Sequence, residues 1–463
     1  MGEKREHKQL AKNSVTYLEL IFQSISFTAP AIAALATMTG AAAFAYGALP
    51  LTYLIAIPAI LAAAYVVYEF SRSVASSGGY YRYIERGFGS KVGAFGGWTY
   101  MLYTVIGATP FIYFETSLAV IFGLQALGIS LPSYSWLPIG LAVAILAFLL
   151  AYFGIKPSLR YSVYTGTIEM ILIFLLGIII LVKSPHPWDP GVYSLKYSPL
   201  GVLGVGIGMV FAFTSYAGWG SMTFLGSEAK QAHLNIRRGV IATIILLALF
   251  FTFASYTMTI GWGPNNMNTY FSNFVPGLLE AVKYGGFILA SIIFIFMANS
   301  GFVDTVAIIN AGSRDMYTMA KDNALPSKLS LTHEKYKSPH ISLMIMTVIG
   351  IGLFLITGLV LDPLNAFLVT GLWTGLGTLI DHILVNISLP LYMRRKKLFN
   401  LSHAIIPAIA TAIYGFAIYA SFTSINIYVI IGSVVVIAWL LIGAIIYYLK
   451  KDLRITLEEG EEI

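Results

Sequence analysis

The chain has no cysteine and little charge. Without cysteine there is no thiolate nucleophile, no Cys-ligated zinc or iron–sulfur cluster, and no disulfide framework. Charged residues are 11% of the 463, against about 25% in soluble domains. That is too few to cover a water-soluble fold of this length. Hydrophobic residues reach 57% and mean hydropathy is +0.78, which also excludes disorder. The net charge of +7 does not come from a basic stripe interleaved with aromatics, so nucleic acid is no partner. The basic residues sit in short clusters between apolar runs, as in a polytopic membrane protein.

A spanning helix takes about 20 mostly apolar residues. Twelve runs qualify: 16–46, 49–71, 92–126, 135–154, 159–183, 200–226, 238–262, 284–319, 340–361, 364–393, 402–423 and 425–450. They are too long for barrel strands and lack period-2 alternation, so the expected class is all-α. The polar stretch before residue 14 has no cleavage-like site after it, and no leader is expected. With the N-terminus cytoplasmic, the inner segments carry Lys4, Arg5, Lys8 and Lys12, then Arg72, Arg82, Arg86 and Lys91, then Lys156 and Arg160. They continue with Lys230, Arg237 and Arg238; Arg314, Lys321, Lys328, Lys335 and Lys337; Arg394, Arg395, Lys396 and Lys397; and Lys450, Lys451 and Arg454. Of the 28 basic residues only Lys183, Lys196 and Lys283 fall outside. This partition predicts twelve spans with both termini in the cytoplasm.

Two spans are built to break. In the first, Gln23-Ser24-Ile25-Ser26-Phe27-Thr28-Ala29-Pro30 interrupts an apolar run. Pro30 has no N–H, and its ring clashes with the Ser26 carbonyl. In the sixth, Thr214-Ser215-Tyr216-Ala217-Gly218-Trp219-Gly220-Ser221 places two glycines mid-membrane, each lowering helix propensity by about 1 kcal/mol. A plain kink explains either one alone. Their matching positions in two groups of five spans point instead to inverted repeats with a midplane site. The expected organisation is a tail at 1–15, a first repeat at 16–183, an outer loop at 184–199 and a second repeat at 200–395. Two extra helices at 396–450 and a tail at 451–463 complete it.

The loops carry a resemblance. Ser76-Ser77-Gly78-Gly79-Tyr80-Tyr81-Arg82-Tyr83, with Gly87-Phe88-Gly89 and Gly96-Gly97-Trp98, resembles the helix 2–3 loop of the amino acid–polyamine–organocation superfamily. Ser313-Arg314, Tyr317, Met319-Ala320-Lys321-Asp322, Leu325-Pro326 and Pro339 resemble its helix 8–9 loop. The sixth span, with Ser227-Glu228-Ala229-Lys230, is similar to that of L-type amino-acid transporters, and Gly377-Thr378-Leu379 fits the tenth span. The resemblance implies a LeuT-like fold and secondary transport of amino acids or related amines by alternating access. It implies no enzyme activity, metal or cofactor. The partners it implies are the bilayer, the small-molecule substrate and protons, with sodium as the alternative ion.

Opening the first span at Ser24, Ile25, Ser26, Phe27 and Thr28 would expose N–H groups at the start of its outer half, where the dipole favours a carboxylate. Carbonyls freed at the breaks would receive an ammonium. Phe211, Phe213, Tyr216 and Trp219, with Tyr103 and Ile308, are the expected pocket wall, and the second break from Thr214 through Ser215 and Gly218 is expected to contact the substrate through its backbone. For any one aromatic, lipid or core packing is the alternative. The resemblance departs at two points: the usual aromatic gate falls on Thr214, and the position below it, often Glu or Asn, is Gly220. The first leaves Phe213 or Phe211 to serve as gate, or else a weaker gate. The second argues against a site for arginine or polyamines.

Four carboxylates lie well inside spans: Glu115, Glu169, Asp304 and Asp381. Glu115 is expected to be structural, and Asp381 to form a local ion pair near the basic loop. Glu169 and Asp304 are the proton-coupling candidates, because no lysine or arginine accompanies them and a buried charge is costly unless paired. Two carboxylates close together in low dielectric cannot both stay ionised. A sodium ion bridging them, or two permanently neutral structural acids, are the rival readings. The glycines at 204, 206 and 208 recur as in a nucleotide loop, but no strand precedes them, and helix packing explains them. The histidines lack metal-ligand spacing. A channel would need a continuous polar pore, and an enzyme or receptor a larger soluble part.

Overall fold

Eighteen α-helices follow one another in the computed structural model, which describes residues 9–422 and 427–455. Lys4, Arg5 and Lys8, and the acidic tail at 458–462, lie outside the described residues. The first half comprises α1 (Tyr17–Phe27), α2 (Pro30–Ile32), α3 (Met38–Ala45), α4 (Leu49–Phe70), α5 (Gly79–Phe88), α6 (Ser90–Met101), α7 (Thr109–Ala126), α8 (Trp136–Tyr152) and α9 (Ile155–Lys183). The second comprises α10 (Gly201–Tyr216), α11 (Ala232–Trp262), α12 (Met267–Tyr270), α13 (Pro276–Glu280), α14 (Gly286–Lys321), α15 (His340–Leu361), α16 (Pro363–Arg395), α17 (Ser402–Ser421) and α18 (Ile427–Leu449).

Among the described residues, eleven apolar helical stretches are long enough to cross a membrane. The first, Tyr17–Phe70, has 54 residues, which at about 1.5 Å each is more than twice the ~30 Å hydrocarbon thickness. It is interrupted at Tyr46, whose φ of +52° ends α3 ahead of α4. The runs 16–46 and 49–71 thus share one stretch, and each of the other ten runs coincides with one.

α1 starts on a capping box. Thr16 and Glu19 exchange side-chain to backbone bonds, Thr16 N–H to Glu19 Oε2 at 2.8 Å and Glu19 N–H to Thr16 Oγ1 at 3.4 Å. Residues 24–27 remain helical, so the break falls later than the sequence placed it, at Thr28 and Ala29. Proline explains the shift: it disfavours helical geometry in the residue before it, and itself suits the first position of a new helix. Ala29 accordingly takes a left-handed conformation, φ +44°, and Pro30 opens α2. The Thr28 N–H and hydroxyl both donate to the Ile25 carbonyl, at 3.0 and 2.7 Å.

α10 stops at Tyr216, and the chain passes through Gly218, φ +95°, before a 3-10 helix over Ser221–Glu228. A Cβ on Gly218 would lie 2.6 Å from Phe27 Cβ, so the two breaks touch. A π-helical turn over Leu102–Ala108 joins α6 to α7. Pro110 withholds an N–H from this turn, and the Thr109 hydroxyl donates back to the Thr104 carbonyl at 2.7 Å. Gly377 of α16 abuts this turn; a Cβ there would lie 2.8 Å from the Tyr103 nitrogen.

The face where the described chain begins, at 9–15, and ends, at 450–455, is sealed by buried polar contacts. Arg314 of α14 grips Glu228 with two nitrogens, at 2.5 and 3.1 Å, and both side chains are 1% exposed. Arg82 pairs with Glu85 at 2.6 Å and with Asp322 at 2.7 Å, and Tyr81 donates to Asp322 at 2.6 Å. The chain at Ser14 and Val15 donates to the Glu228 carbonyl at 2.8 and 2.9 Å. α5, which carries the Gly79-Tyr80-Tyr81-Arg82 motif, is a buried helix rather than an open loop.

Candidate functional site

A cavity of about 750 Å³ lies where the two breaks meet. Thr28 and Ala29 at the first break, Ser215, Ala217 and Trp219 around the second, and Tyr103 on the π-helical turn line it. It extends past Ser272, Asn273 and Phe367 towards the face opposite the termini. The ion pairs of Arg314 and Arg82 close the other end.

Most of the residues singled out in the sequence are brought together here. Phe27, Thr28, Tyr103, Phe211, Phe213, Thr214, Ser215, Tyr216, Trp219 and Ile308 all line the cavity. Ser24, Ile25, Ser26 and Gly218 do not; they are buried in the contact between α1 and the second break. Ser24 Oγ accepts the Met222 N–H at 3.1 Å, tying the two broken helices together. Phe27 stacks on Tyr103 with centroids 5.6 Å apart. Phe211 stacks on Phe44 at 5.2 Å, and Phe213 rests edge-on against Tyr414 at 5.7 Å. Thr214 is exposed to the cavity, with its hydroxyl donating to the Phe211 carbonyl at 2.6 Å.

Glu169 of α9 lies behind this wall, fully buried. Asn299 Nδ2 donates to its Oε1 at 2.9 Å, and the Ser300 hydroxyl and Ala31 N–H lie beside the carboxylate. The Ile32 N–H in turn points to Ser300 Oγ at 3.4 Å. Two N–H groups that the sequence reading left for a substrate carboxylate are therefore engaged by α9 and α14. Asp304, one helical turn after Ser300, lines the cavity and interacts electrostatically with both Glu115 and Glu169. Its Oδ1 accepts no hydrogen bond among the described residues. Glu115 also lines the cavity and accepts the Thr37 hydroxyl at 2.7 Å.

Asp381 corrects a second expectation. It is fully buried, and neither of its oxygens has a hydrogen-bond partner among the described residues. It interacts electrostatically with Asp315 of α14, not with the basic loop. The ion pair expected from the sequence fails because Asp381 lies about 20 Å before Arg394 along the same helix, at about 1.5 Å per residue, and is buried. Three further lining residues, Thr378, His382 and Tyr414, were not singled out. Thr378 stood in the tenth-span motif, but Tyr414 belongs to a helix outside the expected repeats, and nothing local marks its orientation.

The comparisons with known proteins agree with this architecture. The family described as "Amino acid permease" matches residues 19–449. The branched-chain amino acid permease BcaP of Bacillus subtilis (strain 168) is 26% identical over 442 residues, covering 89% of this chain and 88% of the relative. The methylthioribose transporter of the same organism is 24% identical over 429 residues, with the same coverage of 89% and 88%. The large neutral amino acids transporter small subunit 2 of Homo sapiens is 24% identical over 304 residues, 62% of this chain and 54% of the relative. With the family matched from the first membrane helix to the last, and broken helices meeting at a cavity, the chain belongs to the amino acid permease family of the amino acid–polyamine–organocation superfamily.

Proposed function

We propose that the protein is a secondary active transporter of amino acids that works by alternating access. The observation that carries this reading is the cavity itself. It sits at the contact of two broken helices, is reached from one face, and is sealed at the other by buried ion pairs. In this reading the chain crosses the cytoplasmic membrane twelve times, with Tyr17–Phe70 making two crossings, and both termini are cytoplasmic. Two five-helix inverted repeats at 16–183 and 200–395 form the LeuT-like core. A single sealed end fits a carrier better than a channel, which needs a pathway open at both ends.

Glu169 and Asp304 are the coupling groups. Glu169 joins α9 to Asn299 and Ser300 on α14 and to Ala31 at the start of α2. Asp304 stands between this cluster and the cavity. Among the described residues no lysine or arginine forms an ion pair with either carboxylate, so a proton is the cation that neutralises them. Taking one up steadies α2 against α9 and α14, and releasing it frees the outer half of the first broken helix to move. Purified protein in proteoliposomes tests the reading with a panel of labelled amino acids, with and without a pH gradient. Saturable counterflow is expected for at least one amino acid, with accumulation only under an inward proton gradient. Sodium-dependent accumulation would move the coupling to sodium. Glu169→Gln with Asp304→Asn should abolish pH-driven accumulation; full accumulation in that double variant refutes the coupling.

A further inference from the structure

We propose that His382 is a specificity-determining residue: its Nε2 accepts a hydrogen bond from a hydroxyl or N–H on the side chain of the transported amino acid. The inference rests on the reading of the cavity as an amino-acid site and adds the class of side chain that it selects.

Four observations carry it. His382 projects from α16 and lines the cavity, yet is only 9% exposed. Its Nδ1 lies 2.7 Å from the Thr378 carbonyl, one turn earlier on the same helix. A carbonyl can only accept, so Nδ1 carries the proton of that bond. The ring makes no ion pair among the described residues, and an uncompensated charge in this setting is costly. The neutral ring then has its proton on Nδ1 and a bare lone pair on Nε2. Finally, Nε2 is buried without any hydrogen-bond partner among the described residues. A buried acceptor left unmade is costly, and a ligand that supplies a donor removes that cost.

The surroundings define the rest of the side chain. The rings of Tyr80, Trp219 and Tyr414 stand 5.1, 5.6 and 5.6 Å from the imidazole centroid. Thr378, which fixes the tautomer, lies beside Tyr103, and Tyr103 stacks on Phe27 at the first break. The imidazole thus offers an open acceptor bordered by aromatic rings, close to the breaks. That chemistry fits a side chain with an apolar body and one donor, such as the hydroxyl of threonine or tyrosine. It disfavours side chains that carry a full charge.

Matched pairs in proteoliposomes test this: threonine against valine, and tyrosine against phenylalanine, read as the ratio of kcat/KM within each pair. The wild type should favour the hydroxyl member by about tenfold, the worth of one neutral hydrogen bond. His382→Asn keeps a donor for Thr378 but has nothing at the Nε2 position, and should bring the ratio close to one. His382→Gln places an amide near that position and should restore part of the preference. A merely structural histidine would lower both members of a pair together. Should His382→Asn fold poorly, thermal-shift titration of the wild type with each pair reads the same preference. A wild-type ratio of one, or an unchanged ratio in His382→Asn, overturns the assignment and leaves Nε2 an acceptor for water. If no amino acid is transported at all, it is the functional reading that falls, and this inference falls with it.

Discussion

Gly218 shows how a single residue holds the site together. Its φ of +95° is a conformation that side chains with a Cβ rarely adopt, and Phe27 fills the space where that atom would go. Gly218→Val should therefore abolish substrate binding in folded, detergent-purified protein, because it strains the second break and forces it off the first. Unchanged affinity in that variant would move the site away from the breaks. Gly218 and Pro30 were both legible in the sequence, because glycine and proline mark backbone geometry directly. The partners of Glu169 were not. Asn299 and Ser300 lie 130 residues or more from it along the chain, and only the packing of α9 on α14 reveals that they meet. Nor was His382 legible as a site residue, since one polar residue on an apolar helix does not show which way it faces.

Elements carry the seal and the outer loops. Arg314 on α14 and Glu228 at the end of the 3-10 helix are both buried. Removing one partner of such a pair costs ~3–5 kcal/mol, whereas replacing both with apolar groups is often near neutral. Arg314→Met should lower Tm sharply, and adding Glu228→Leu should recover part of the loss. A double variant less stable than the single one would contradict this. In the loop after α9, the Tyr197 hydroxyl donates to Asp189 at 2.6 Å and holds its carboxyl below the usual carboxylate range, with help from the Gly191 N–H. A lowered value means that the folded loop binds its proton later than the unfolded one. Its contribution is full above the ordinary Asp value and is lost as pH falls through the lowered one. Amide exchange at 189–197 should stay slow down to about pH 4, quicken in Asp189→Asn above that pH, and converge with the variant below it. Equal protection in the variant would show that the bond contributes nothing. Most element boundaries were legible, because apolar runs set them. α5 was not, because its burial depends on the helices around it.

For the molecule as a whole, topology comes first. The absence of cysteine allows single cysteines to be placed without removing any. Ser194 and Asn266 are exposed at one end and Lys335 at the other. Ser330, on the same side as Lys335, is fully buried and unsuitable as a probe. In intact cells an impermeant maleimide should label cysteines at 194 and 266 but not at 335. Labelling at 335 from outside would overturn the twelve-span account. The helical class and the placement of the spans were legible from hydropathy alone, and the resemblance in the loops pointed to the family. The cavity was legible only through its backbone breaks, since a wall of aromatics in a membrane protein looks the same as packing until the fold is known.

Thr214 offers the most direct test that this cavity is the transport site and that access to it alternates. It is exposed to the cavity, and the background contains no other thiol. In proteoliposomes carrying Thr214→Cys, an impermeant thiol reagent should react from the face opposite the termini, and a transported amino acid should slow the reaction. Turnover should open the same cysteine to reagent trapped on the termini side. Labelling that ignores a transported amino acid, or that never occurs from the termini side during turnover, would contradict the account.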